Sequence, residues 1–256
     1  MKRFFQIALF LLAATSIVAL VVYVYYKHEQ QPLQKVMVHV TRSTEKGFLD
    51  KDKILTFVNN NLNDTIRLKD VNIGLLEDSL AQTPWVDKID AYTDIDGNLI
   101  INLRESKPVL RVFNQFGTSF YLDKTGNILP LSKNYSPRLR IANGYIQTNP
   151  VKGFNNINDT VYKKSDLKKL LYISTKIDQF RFLKSLIGEV YLNSRHEFDL
   201  IPAVGNQVIR LGDTVNLDHK LENLAIFYKK ALVYQGWDTY KTVSLKYKNQ
   251  IVCTKK

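Results

Sequence analysis

Cysteine is almost missing: Cys253 is the only one in 256 residues. A single thiol excludes an intramolecular disulfide framework and a multi-cysteine metal site. Histidine is scarce as well. His28, His39, His196 and His219 lie far apart, none at ligand spacing to another, so no metal centre is expected from them. Gly-rich phosphate loops and a G-x-S-x-G nucleophile turn do not occur. With no nucleophile beside a base and no metal cluster, no catalytic, cofactor-binding or metal residue is assigned; the chain is expected to bind rather than catalyse. Seven prolines and eleven glycines are too few for a low-complexity linker. A content of 45% hydrophobic and 23% charged residues is that of a chain that folds.

Long apolar runs are confined to one place. From Phe4 to Tyr26 there is no charge, and only Gln6, Thr15 and Ser16 are clearly polar. As a helix this run would span about 34 Å, enough for a hydrocarbon core of about 30 Å. Tyr23, Tyr25 and Tyr26 mark one end, where amphipathic rings favour the headgroup level. A cleaved signal peptide would have a shorter core ending in small residues, so a retained anchor is expected. Lys2 and Arg3 on the short side, against Lys27 and Lys35 on the other, favour a cytoplasmic N-terminus and a bulk outside the cytoplasm. The net charge is +12, but the lysines are scattered, which fits a solvated surface and not a nucleic-acid site.

Beyond the anchor, His28–Lys35 is polar, and Val36–Val40 alternates as a half-buried strand. Asp50 and Asp52 open a helix through Ile54, Leu55, Phe57 and Val58, with its acids at the favourable end of the dipole. A second helix near Ile73–Ala81 is expected to use Leu75, Leu76 and Leu80 as contacts. A strand follows Pro84-Trp85, turns at Asp96-Gly97-Asn98 and returns through Leu99, Ile101 and Leu103 to Glu105. This order makes a small α/β domain. Strands at 109–113, 120–122 and 127–131 surround a turn at Gly126, and 147–160 is a loop. Leu167, Leu170, Leu171 and Ile177 mark a helix, and a meander occupies 186–211. Asn216 is expected to N-cap a helix carrying Leu217, Leu221, Leu224 and Tyr228, with Gly236 as its left-handed C-cap. A hairpin through Val243, Leu245, Ile251 and Cys253, turning at Lys248-Asn249, closes the chain. The fold class is therefore α+β: an N-terminal membrane helix, a small α/β module, then a mainly antiparallel β domain with flanking helices.

Two turns look superficially like calcium loops, around Gly97 and around Gly126. A calcium loop would need acids where Tyr92, Tyr121 and Ser132 stand, so hairpin turns are the expected reading.

Several short motifs in order carry a resemblance. Pro84-Trp85-Val86, then Leu103-Arg104-Glu105-x-x-Pro108-Val109, then Tyr121-Leu122-Asp123-x-x-Gly126-x-Ile128-x-Pro130 follow the single anchor. Leu200-Ile201-Pro202, Gly212-Asp213, Lys220-x-x-Asn223-Leu224-x-x-Phe227-Tyr228 and Gly236-Trp237 continue the series, while the family's L-P-x-x-x-G segment is not clean near Asn143-Gly144. The chain resembles the bacterial cell-division family FtsQ/DivIB, in a Bacteroidetes-like version. The resemblance implies a cytoplasmic stub at 1–3, a transmembrane helix at 4–26, a stalk at 27–35, a POTRA-like domain at 36–106 and a distal β domain at 107–256. It also implies a non-enzymatic divisome scaffold at the septum, in the inner membrane with its bulk in the periplasm. The implied partners are an FtsB/FtsL-like pair, an FtsK-like recruiter and the septal peptidoglycan synthase complex, with no cofactor, nucleic acid or small-molecule substrate. A final edge strand can pair with an extended partner; Tyr247, Lys248, Gln250 and Val252 are expected on it, framed by Tyr240 and Trp237, and a proline at Val252 is expected to remove a donor and weaken partner capture without unfolding the domain. The alternative is a POTRA-bearing envelope transport or assembly factor that binds client strands by the same physics.

Overall fold

The computed structural model describes residues 2–42, 46–62, 67–133, 135–152, 155–236, 239–248 and 250–256. The chain divides into two compact units, Met1–Glu105 and Ser106–Lys256.

The first unit opens with α1, Lys2–Glu29. Among the described residues this is the one helix long and apolar enough to cross a membrane, and its large apolar side chains, such as Phe4, Leu12, Val21 and Tyr26, are exposed. Residues 30–35, polar in sequence, run bonded to the module that follows: Leu68 N donates to Gln31 O and Gln34 N to Gly97 O. The module then comprises β1 (Val36–Thr41), α2 (Lys51–Asn61), α3 (Ile73–Ala81), β2 (Val86–Thr93) and β3 (Leu99–Glu105). Its sheet order is β1-β3-β2, with β1 parallel and β2 antiparallel to the central strand. Asp50 caps α2 by accepting from Asp52 N, and Asn72 caps α3 by accepting from Leu75 N. Val38, Ile54, Val58, Leu76 and Leu80 are buried, as are Leu99, Ile101 and Leu103, the alternate residues of β3. Leu75, expected as a contact, is instead 63% exposed, because α3 turns only its Leu76/Leu80 face to the sheet.

Glu105 ties the module together. Buried, it accepts from Phe48 N and Leu49 N, both at 2.9 Å. The Phe48 ring stacks on Trp85 with centroids 3.9 Å apart. The Pro-Trp-Val and Arg-Glu motifs are thus two halves of one packing unit, separated by a hairpin in sequence.

The second unit carries β4 (Pro108–Phe113), β5 (Ser119–Asp123), β6 (Ile128–Leu129), β7 (Arg140–Gly144), α4 (Leu167–Gln179), α5 (Arg181–Leu186), β8 (Ile187–Leu192), β9 (Phe198–Pro202), β10 (Val208–Gly212), α6 (Leu217–Lys230), α7 (Leu232–Gln235), β11 (Tyr240–Ser244) and β12 (Val252–Lys255). Nine strands form one sheet in the order β12-β11-β10-β9-β8-β7-β4-β5-β6. Five of its pairings are antiparallel, and three are parallel: β4–β7, β7–β8 and β10–β11. The helices cover it through one core that joins Leu110, Val112, Val190, Leu200 and Ile209 to Leu170, Ile173, Leu221 and Leu224. Inside it, Arg140 donates to Ile187 O, to Ser174 O and Oγ, and to Asp178 Oδ1 at 3.0 Å. A buried guanidinium is tolerated there because each of its nitrogens has an acceptor.

Four turns share one construction. Asp94 Oδ1 accepts from Asp96 N and Asn98 N; Asn114, Asp123 and Asn193 accept in the same way from the amides two and four residues on. The calcium-like appearance of two of them has this origin: the carboxylates hold the turn's own backbone.

Two capping expectations are corrected. Asn216 adopts a left-handed backbone (φ 53°, ψ 36°), and its side chain caps no amide of α6. The expected long helix also breaks at Ala231, so Gly236 closes the short α7, and its φ 85°, ψ 148° is not the helical left-handed conformation.

Candidate partner-binding edge

A nine-stranded sheet has two edges, and the sequence treats them differently. At β6, Ile128 N donates to Asn155 O (2.7 Å) and Ile157 N to Gly126 O (2.9 Å), so a loop covers that edge. The small sheet protects β2 in a similar manner, with Ala91 N donating to Glu77 Oε1 of α3 at 2.7 Å. At the other end of the large sheet β12 has only β11 beside it among the described residues. An edge of this kind presents backbone donors and acceptors to any extended segment that can align with it.

The register decides which groups those are. β12 pairs with β11 through Ser244↔Val252, Val243↔Cys253, Thr242↔Thr254 and Tyr240↔Lys255. Leu245 N donates to Arg210 O on β10, so alternate residues Val243 and Leu245 turn their backbone toward β10, and Thr242 and Ser244 turn theirs toward β12. Lys256 N donates to Thr239 O, in the same phase. Val252 and Thr254 are thereby the ladder-bonded residues, and the outward N–H and C=O groups are those of Cys253 and Lys255. For Val252 this phase turns the amide into the hairpin's own ladder, while its side chain, 42% exposed, lies on the edge strand.

The other expected residues fall around this edge. Tyr240 lies on β11 with its ring 6.1 Å from that of Phe227, so it supports the strand from the helix side. Tyr247, Lys248 and Gln250 lie in the β11–β12 connection, off the strands, and line an open groove of about 480 Å³ together with His219 and Lys220 of α6. Trp237 and Asn249 lie outside the described residues. The outward phase of Cys253 and Lys255 is not legible in the sequence, and the reason is geometric. Side chains and backbone groups both alternate with period two, so the outward set is fixed only once the side on which β11 meets β10 is known.

Charges around the groove are mostly engaged. Lys220 Nζ lies 2.7 Å from Asp213 Oδ1 and also donates to Leu211 O, which holds the Asp213 carboxyl below the usual range. Lys246 Nζ lies 2.6 Å from Glu197 Oε1 and lowers that carboxyl too. Lys248, at the groove's mouth, is exposed. Cys253 is half-buried against the core, and burial pushes its thiol up, away from the thiolate form. Among the described residues no group of three His, Cys, Asp or Glu side chains could hold a metal ion. The arrangement offers hydrogen bonds, an apolar flank and positive charge, which is the chemistry of holding a peptide.

Comparison with known proteins agrees in both units. Residues 33–104 match the family model of a POTRA-like domain. Over 190 residues the chain is 26% identical to "Cell division protein FtsQ" of Rhodothermus marinus, covering 72% of this chain and 66% of that protein. Residues 107–254 match the model described as FtsQ/DivIB, C-terminal related. Since that match alone spans more than half of the sequence, the chain belongs to the FtsQ/DivIB, C-terminal related family.

Proposed function

We propose that this protein is a non-enzymatic, membrane-anchored component of the cell-division machinery that links division proteins by contacts outside the cytoplasm. Its N-terminus lies in the cytoplasm, α1 crosses the inner membrane once, and the POTRA-like module and the second unit stand in the periplasm at the septum. The POTRA-like module recruits the chain or is recruited, and β12 takes an extended segment of an FtsB/FtsL-like pair as an added strand. The observation that carries this reading is the contrast between edges: β6 and β2 are covered, whereas β12 leaves the backbone of Cys253 and Lys255 facing outward beside a groove with lysines on its wall. Backbone pairing supplies affinity in such a complex, and alternate side chains of the incoming strand supply specificity.

Depletion in the organism of origin tests the role. Filaments with segregated chromosomes and no finished septa are expected. Cells of normal length with misassembled envelope proteins would overturn the division role and favour an envelope-assembly factor.

A further inference from the structure

The end of α1 is fastened to one tip of the POTRA-like module. His28 Nε2, in the last turn of the helix, donates to the carbonyl of Asp94 at 2.8 Å. Arg67 Nη1 donates to Gln30 Oε1 at 2.9 Å, and Gln34 N donates to Gly97 O at 2.9 Å. Asp94 and Gly97 bracket the β2–β3 turn, so these bonds fix that turn against the helix end. At the turn's apex stands Ile95, 85% exposed, more than any described apolar side chain of α1.

An isoleucine at the tip of a tight turn contributes nothing to the module's core. Its location relative to the anchor gives it another environment. His28 is two residues past Tyr26, about 3 Å along the helix axis, and its side chain holds the Asp94 carbonyl, so the turn is fastened at the level of the helix's last turn. The headgroup layer on each side of a bilayer is roughly 5–7 Å deep. The apex therefore falls within that layer whenever Tyr23, Tyr25 and Tyr26 sit at its inner boundary. Asp94, engaged by the turn's amides, and Asp96 beside Ile95 keep the apex from going deeper.

We infer that the β2–β3 turn is seated in the headgroup layer of the membrane that α1 crosses, with Ile95 inserted as an apolar foot. The occupant of this exposed position is the lipid interface. The seat fixes the rotation of the POTRA-like module about the anchor axis, so one face of it is always presented to partners at the membrane surface. The inference rests on α1 spanning a bilayer.

The test uses the full chain with Cys253→Ala, so that an environment-sensitive fluorophore can be placed at I95C or, for comparison, at K88C. Lys88 is exposed on β2, about 23 Å along the strand from the apex. The labelled chains are reconstituted into phosphatidylcholine vesicles and separated by flotation. The expected result is that both float, that the label at I95C emits to the blue of the label at K88C, and that headgroup-nitroxide lipid quenches it several-fold more. Floating chains whose two labels behave alike would overturn the seat and leave the anchor standing. Chains that do not float would overturn the anchor and the seat together.

Discussion

Single side chains hold this protein together by accepting or donating where the backbone has no partner of its own. Glu105 is the clearest case, since its carboxylate is the acceptor for two buried amides. Glu105→Ala should destabilise the POTRA-like module by about 2 kcal/mol or more, at roughly 1–3 kcal/mol for each orphaned amide. Hydrogen exchange at Phe48 and Leu49 should rise with it, and unaltered protection there would contradict the role. Arg140 makes a similar argument in the second unit: Arg140→Ala should cost about 3–5 kcal/mol, because Asp178 and two carbonyls lose their donor. Tyr228 gives a pH signature. Its hydroxyl accepts from Gln207 Nε2 at 2.6 Å, and burial raises the phenol to about 12 from an ordinary value near 10. The folded state favours the neutral form, so its contribution is complete below pH 10. It is lost as pH rises from the unfolded value through the folded one, roughly 2–3 kcal/mol in all. Denaturant titrations should show Tyr228→Phe less stable by about 1–2 kcal/mol at neutral pH, with that gap closing and then reversing as pH rises from about 10 to 12. A gap independent of pH would contradict the assignment.

At the scale of elements, strands and turns had to satisfy two demands at once, and one of them is invisible in sequence. Gly144 ends β7 with φ 99°, and a Cβ there would meet Leu192 O at 2.2 Å, the same carbonyl that accepts from Tyr145 N. Gly144→Ala should destabilise the second unit by about 3 kcal/mol or more, since backbone and not a flexible side chain stands in the way. Thermal unfolding within a degree or two of wild type would refute this. The strands of the small module, the helix at Leu167–Gln179 and the closing hairpin were legible because their apolar residues alternate or recur at helical spacing. The six residues of α5 were not, since Arg181–Leu186 is too short for a periodic signal and runs straight into β8. Asn216 misled for another reason: residues good at capping also tolerate left-handed backbone, and here the second property is the one in use.

At the scale of the whole chain, the two units have opposite relations to their surroundings. In the first, the POTRA-like module is tied at one tip to an apolar helix; in the second, one edge of the large sheet is covered and the other, among the described residues, is open. That the closing hairpin supplies an edge strand is what the family resemblance implies, and β12 ends the strand order of the large sheet. Which of its amides face outward could not be read from the sequence, because that depends on the parallel pairing of β10 with β11 across α6, a contact between residues some thirty positions apart. The central claim is that the outward backbone of β12 captures an extended partner. It is tested most directly by titrating an FtsB/FtsL-like pair against the full-length chain in detergent, comparing Cys253→Pro, Cys253→Ala and Val252→Pro. Cys253→Pro removes an outward donor from an edge strand, where proline is tolerated. It should weaken capture about tenfold or more while the unfolding midpoint holds. Cys253→Ala, which keeps the amide, should stay within a few-fold of wild type, and Val252→Pro should first loosen the hairpin itself. A folded Cys253→Pro that captures the pair as tightly as wild type would contradict the account.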